Sequence, residues 1–306
     1  MDRKNQNDKL QPENAPTEHA QPHQEPEALG HWQDISRKWE KFGPPLHPSA
    51  QDTAFITDVI NSWARDNGVP RALILGVTPQ LYHLQWPKET DVLAVDHTQE
   101  MIDNVWPGPR DTAILAEWTD MPLETGSRDI TLCDGGISLL SFPDGHRQFV
   151  RELHRIIAPS GLCIFRLFAP PKEHESFDKV FQDLLDRKIP DMHQLKIRLW
   201  MAMYKDITQC LQLKDVWEAF NRVAPDLNLL ASQIGWPLEH LQMINTHRNC
   251  ETKAVFPSVD EVRYLFCKDP GGFEFETVNV PTYDLGECCP TVVFRRIDTE
   301  SVRDDG

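Results

Sequence analysis

Three acidic residues close three separate apolar runs: Asp96 in DVLAVDHT, Glu117 in DTAILAEW and Asp134 in DITLCDGG. The run before them, RALIL, ends instead in Gly76-Val77-Thr78-Pro79. A carboxylate at the end of a strand can accept both hydroxyls of a ribose. Asp96 stands 20 residues beyond Gly76, the separation at which nucleoside-binding α/β units place that acid. The same Asp96, or Thr98, would also serve as the N-cap of the next helix. Gly76 has no Cβ and lets a ligand approach the backbone. Thr78 can cap the following helix or donate to a ligand carboxylate, and Pro79 suits a first helical turn. This loop has one glycine where a pyrophosphate cradle has three, so a nicotinamide dinucleotide is disfavoured. No G-x-x-x-x-G-K-[ST] run is present, which removes a P-loop.

The elements that must hold these residues alternate. From 71 to 168 the short strand-like runs RALILGV, DVLAVD, DTAILAEW, DITLCDGG and LCIFRLF alternate with helical stretches, with a turn at ETGSRD before the fourth; the last helix is FPDGHRQFVRELHRIIAPSG, closed by Pro159 and Gly161. Runs that are apolar almost throughout imply strands covered on both faces. Alternating β and α units of this length imply a doubly wound, mostly parallel sheet, with ligands beyond the carboxyl ends of its strands. Two further strands, FEFETVNVPTY and PTVVFRRI, close the chain behind a helix FPSVDEVRYLFC. That helix carries Ser258 and Glu261 at capping-box spacing. With them the sheet has seven strands.

Outside this core the 306 residues divide by composition. Residues 1–30 are polar and Pro-rich and are expected to form a disordered tail, as are 298–306. Residues 31–66 read as a helical arm: Trp32, Ile35, Trp39 and Phe42 recur at helical spacing, GPPLHPSAQD follows, and Ser49 is the expected N-cap of a helix over 50–65. The Pro-stiffened segment offers a lid across the site, with His47 or Ser49 reaching it. A plain packing arm accounts for the same residues. Residues 172–247 read as helices without a strand and form a cap whose Trp200, Met201, Met203, Tyr204 and Trp217 either line a pocket or make the cap's own core. Seven scattered cysteines without a C-x-x-C pair resemble neither a disulfide framework nor a zinc site. The net charge of -16 argues against nucleic acid, and no apolar run reaches the length of a membrane span or of a secretory signal. The expectation is a cytoplasmic protein acting on a small molecule, without a metal.

In order and spacing these segments resemble the class I S-adenosylmethionine-dependent methyltransferases, with a degenerate glycine motif. ILGVT stands where that family has its glycine-rich first motif, usually with companion glycines. LAVDHTQEMI is similar to its acidic second-strand motif. AEWTDMPLETGSRDITLCDGGISLL resembles the stretch from the adenine-contacting loop through the fourth strand, and FVRELHRIIAPSGLCIFRLF the helix and strand that close the core. The resemblance covers 71–168 and 255–297. It implies a Rossmann-like fold, S-adenosylmethionine as cofactor, and methyl transfer to oxygen or nitrogen of a small acceptor. It implies Gly76 under the methionine end, Asp96 on the ribose, and Glu117 with Trp118 flanking the adenine, where an indole suits a purine face, though Trp118 could equally be a core residue; Thr78 and His97 are further cofactor-binding candidates. Asp134 and Gly135 would border the methionine group and the acceptor. Asp134 and His47 are candidates for a general base, which such chemistry does not require. The lone Gly76 leaves open a methyltransferase-like protein that binds cofactor or a partner without turnover.

Overall fold

The computed structural model describes residues 26–298, with side chains from residue 31. The tail segments 1–25 and 299–306 lie outside the described residues. Helix α1 (Pro26–Arg37) begins inside the stretch expected to be tail. Helix α2 (Ala50–Asn67) starts at a full capping box, in which the Ser49 hydroxyl accepts from the amides of Gln51 and Asp52 and the Asp52 carboxylate accepts from the Ser49 amide. It runs two residues past the expected end and stops at Gly68, whose φ of +92° breaks the helix.

The core alternates as its apolar runs require: β1 (Arg71–Leu75), α3 (Pro79–Tyr82), β2 (Asp91–Asp96), α4 (Gln99–Val105), β3 (Ala113–Leu115), β4 (Arg128–Asp134), α5 (Asp144–Ile156) and β5 (Ile157–Arg166). The cap holds α6 (Phe177–Leu185), α7 (Met192–Met203), β6 (Leu211–Gln212), α8 (Leu213–Val223), α9 (Leu227–Ile234), α10 (Leu238–Leu241) and β7 (Lys253–Ala254). The chain then closes with α11 (Val259–Cys267), β8 (Phe273–Asn279) and β9 (Thr291–Arg296). Ser258 and Glu261 form the expected capping box at α11.

Seven strands form one sheet in the order β3-β2-β1-β4-β5-β9-β8, with β9 alone running against its neighbours. This is the doubly wound, mostly parallel α/β sheet that the sequence predicts, and its strand order reverses between β1 and β4. Alternate strand residues feed two layers. Leu73, Leu75, Cys163 and Phe165 pack with Phe149 of α5 and Phe266 of α11. Ile74, Leu162 and Ile164 pack on the other face with Ile56 and Ile60 of α2 and Ile102 of α4. A third cluster, built on Leu195, Leu199, Phe220 and Ile244, makes the cap's own core.

Three boundaries differ from the sequence reading. β3 has three residues rather than eight, because it is the sheet edge and the chain turns away once the Ala116 amide has bonded the Asp96 carbonyl. β5 starts ahead of Pro159 and Gly161, with a register break opposite Arg128 and Ile130, so Pro159 and Gly161 sit within the strand rather than closing the helix. β6 and β7 form a two-residue ribbon in a cap expected to lack strands. So short a pair carries no readable period. No helix among the described residues is long and apolar enough to cross a membrane.

Candidate functional site

Register explains why the candidate residues share a level. Leu75 pairs with Val95 on one side and Cys133 on the other, so Gly76, Asp96 and Asp134 occupy the next row. Asp134 pairs with Arg166, and Asp96 with Leu115. This row forms the floor of a cavity of about 190 Å³, more than ten times the ~10–15 Å³ that one water requires, so it is sized for a ligand. Residues of the arm and the cap partly cover the cavity, and its lining is mostly apolar. Gly76, Thr78, Asp96, His97, Trp118, Asp134, Gly135 and His47 all line it; Glu117 does not. Glu117 is half-buried in the turn after β3, where its carbonyl accepts the Asp120 amide.

Asp96 is nearly buried, and its Oδ1 accepts the Thr98 amide at 2.8 Å. It therefore helps to order the start of α4 as well as facing the cavity. Thr98 is the N-cap residue, without a side-chain cap bond. Burial pushes the Asp96 carboxyl above its ordinary value, against the pull of His97 and the neighbouring amides. His97 Nδ1 lies 3.8 Å from Asp96 Oδ1.

Gly76 has φ +82°, and its amide donates to the Val95 carbonyl at 2.8 Å. A Cβ there would come 3.7 Å from the Trp118 ring and 4.0 Å from Asp96 Oδ2, so the glycine leaves a gap between an indole and a carboxylate. The Trp118 indole N–H donates to the Val95 carbonyl at 2.9 Å. That bond pins the ring as cavity wall while its far side joins the core with Phe149. Thr78 is the N-cap of α3 with no side-chain cap bond, and Pro79 opens the helix. Gly135 has φ +67°, and a Cβ there would meet the Phe168 ring at 2.5 Å.

Asp134 is engaged. The Arg166 guanidinium donates through Nε to Asp134 Oδ1 at 2.6 Å and through Nη1 to the Pro45 carbonyl at 3.0 Å. Both side chains are buried, and Arg166 Nη2 has no partner among the described residues. Burial pushes the Asp134 carboxyl up while Arg166 pulls it down; burial also opposes the Arg166 charge, which Asp134 holds in place. The pair ties the arm to the ends of β4 and β5. The sequence did hold a signal for this residue: an arginine inside the apolar run IFRLF needs a buried partner.

His47 is buried, stacks on Trp39 at 4.4 Å between centroids, and pairs through Nδ1 with the Gln80 amide at 3.2 Å. Burial, then the charges of Arg166 and His193, lower it to about 4. Its ring is neutral at physiological pH. Ser49 is occupied as the α2 cap and does not line the cavity. Of the aromatic and methionine stripe in the cap, only Trp200 reaches the cavity; Met201 and Tyr204 belong to the cap core, and Met203 and Trp217 pack against it. Lining residues that went unpredicted are Trp32, Phe168 and Phe256, with the polar group His31, Lys196 and His247.

Residues 74–165 match the family model described as a methyltransferase domain. No curated protein is matched by the sequence. Among solved structures, the CcbJ methyltransferase from Streptomyces caelestis is 11% identical with a TM-score of 0.53, covering 89% of this chain and 99% of that one. A protein titled as a putative Zn-dependent alcohol dehydrogenase from Rhodobacter sphaeroides is 15% identical with a TM-score of 0.55, covering 89% and 98%. At such identities both likenesses establish the fold alone, and the second brings no dehydrogenase activity with it. The family match implies S-adenosylmethionine as the cofactor.

Proposed function

We propose, from the match of residues 74–165 to a methyltransferase domain, that the chain transfers a methyl group from S-adenosylmethionine to oxygen or nitrogen of a small-molecule acceptor. The observation that carries the reading is the row Asp96–Gly76–Asp134 at the strand-order reversal, on the floor of a partly covered, mostly apolar cavity. The residues fit the cofactor. Asp96 would accept the ribose hydroxyls, Trp118 would wall the base, and Gly76, Thr78 and Gly135 would hold the methionine end. The gap that a Cβ at Gly76 would fill supports this assignment.

The cofactor brings a methyl group already activated on a sulfonium, so alignment and dehydration supply most of the rate. The chain's own part is then clear. The Arg166 bonds to Asp134 and to the Pro45 carbonyl hold the arm over the sheet. Trp32, Trp39 and Phe42 from the arm and Trp200 and Phe256 from the cap shed water from the cavity. Neutral His47 can accept an acceptor proton, though at about 4 it is a weak base. Asp134, held by Arg166, is the poorer candidate.

A non-catalytic binder is the second reading, and the loop with Gly76 as its single glycine favours it. Calorimetry with S-adenosylhomocysteine tests binding, and absence of binding at millimolar concentration sinks both assignments of the cofactor. A methyl-label screen over small-molecule extracts then tests turnover; binding without any labelled product favours the second reading.

A further inference from the structure

Lys196 on α7 is 2% exposed, lines the cavity and forms no ion pair with any described carboxylate. Its Nζ donates to Thr246 Oγ1 at 2.7 Å and lies 4.9 Å from the centre of the Phe42 ring. Those are a neutral acceptor and a π face, neither a counter-ion. The other titratable groups that act on it are Cys250, Lys38 and Asp34, and Asp34 is already paired with Lys38 at 2.6 Å. Burial accordingly lowers the Lys196 ammonium to about 7.

Two histidines stand beside it, with ring centres 6.3 Å apart. His31 Nδ1 bonds the Thr246 carbonyl at 2.9 Å, which places its proton on that nitrogen. His247 Nε2 accepts the Trp200 indole N–H at 3.0 Å, so its own proton sits on Nδ1. That N–H is buried and has no partner among the described residues. Burial and the Lys196 charge lower both rings, His31 to about 4 and His247 well below its ordinary value, so both stay neutral at physiological pH.

The cavity lining thus includes an ammonium whose one hydrogen-bond acceptor is a neutral hydroxyl and which has no counter-ion, and the His247 ring with a buried N–H that lacks an acceptor among the described residues, framed by the rings of Trp200, Phe168 and Phe256. A buried cation without a counter-ion is costly, and a buried donor without an acceptor is costly again. One carboxylate would satisfy both. We propose, building on the methyl-transfer reading, that Lys196 and His247 bind the carboxylate of the methyl acceptor, a small aromatic acid whose ring lies among these aromatic side chains. The cofactor has a carboxylate too, but the residues that fit it are on strand ends, whereas Lys196 and His247 belong to the cap.

The test is calorimetry on the full chain saturated with S-adenosylhomocysteine, comparing benzoate with its uncharged isostere benzamide. At pH 6 benzoate should bind about tenfold or more tighter, the scale of one charge-assisted hydrogen bond. The carboxylate needs protonated Lys196. The preference should therefore be full below about 7 and fall as pH rises through that value. Lys196→Met, which keeps the volume and removes a buried charge, should abolish the preference and leave S-adenosylhomocysteine affinity within about twofold. Should that variant fail to fold, the pH series on the unaltered protein decides. Equal affinity for the two probes overturns the proposal. So does a preference that grows with pH, which would mark Lys196 as a neutral base. Loss of S-adenosylhomocysteine affinity in Lys196→Met, with 5′-methylthioadenosine binding unchanged, would assign the lysine to the cofactor's carboxylate and also overturn it. If S-adenosylhomocysteine itself fails to bind, the methyl-transfer reading falls instead.

Discussion

Replacing Asp96 with alanine separates the two tasks that this carboxylate performs. Toward the protein it accepts the Thr98 amide at 2.8 Å, a hydrogen bond to a charged acceptor whose loss costs about 1.5–3 kcal/mol of stability. Toward the cavity it would accept ribose hydroxyls. A hydrogen bond to a charged acceptor contributes about 1.5–3 kcal/mol, which corresponds to roughly 10- to 150-fold in affinity. The carboxylate is already buried in the free protein, so little further desolvation opposes binding. We therefore expect Asp96→Ala to weaken S-adenosylhomocysteine binding by at least that factor in calorimetry. Asp96→Asn keeps an oxygen for the Thr98 amide, and should retain the melting temperature while still binding more weakly. The pH dependence follows from the sign of the shift. Ribose hydroxyls favour the ionised carboxylate, and burial raises its pKa, so wild-type affinity should decline on acidification from above the ordinary carboxylate range. The Asn variant should lack that decline. A folded Asp96→Ala protein that binds S-adenosylhomocysteine within twofold of wild type would refute the ribose assignment.

Two further substitutions probe the floor of the cavity. Gly76→Ala should cost about 1–2 kcal/mol in urea unfolding, because a φ of +82° strains any L side chain. It should also abolish S-adenosylhomocysteine binding, since its Cβ would occupy the gap between Trp118 and Asp96; undiminished binding would place the ligand elsewhere. Arg166→Met leaves Asp134 buried without its partner and should cost about 3–5 kcal/mol, whereas the double variant Asp134→Leu/Arg166→Met should recover most of that loss. Equal unfolding midpoints for the single and double variants would show that the pair does not act as a unit.

What the sequence made legible was whatever a continuous apolar run or a strand end determines. RALIL, DVLAVD and DITLCD read as strands because layers on both faces demand apolar side chains from every position, and these layers are present. The level row of Asp96, Gly76 and Asp134 was legible for the same reason: once the strands are parallel and in register, their ends must meet. Glu117 does not line the cavity, because β3 is an edge strand only three residues long and the chain turns directly after it. Trp118, one residue on, reaches it by spanning back to the Val95 carbonyl. His31, Lys196 and His247 were illegible as a group. They lie on three segments joined only by the packing of the arm and cap, through Thr246, Phe42 and Trp200. No local spacing encodes such a meeting.

The single glycine in LILGVTPQLY has a physical explanation in the same terms. A glycine is required where φ is positive or where a ligand must touch the backbone. Gly76, at φ +82°, is the one position of this turn with a positive φ. Val77 packs with Ile74 and Leu81 in the layer on the α2 face, so a glycine there would remove a buried side chain and open a void. Thr78 has φ -75° and ψ 108°, an extended conformation any residue adopts, and it hands the chain to Pro79 at the first turn of α3. The loop therefore keeps its glycine where φ is positive at the cavity floor and spends Val77 on the core. A loop so built can seat the compact methionine end of a nucleoside cofactor. It leaves no bare backbone run for a pyrophosphate, and α3, only four residues long, offers that group little helix to rest on.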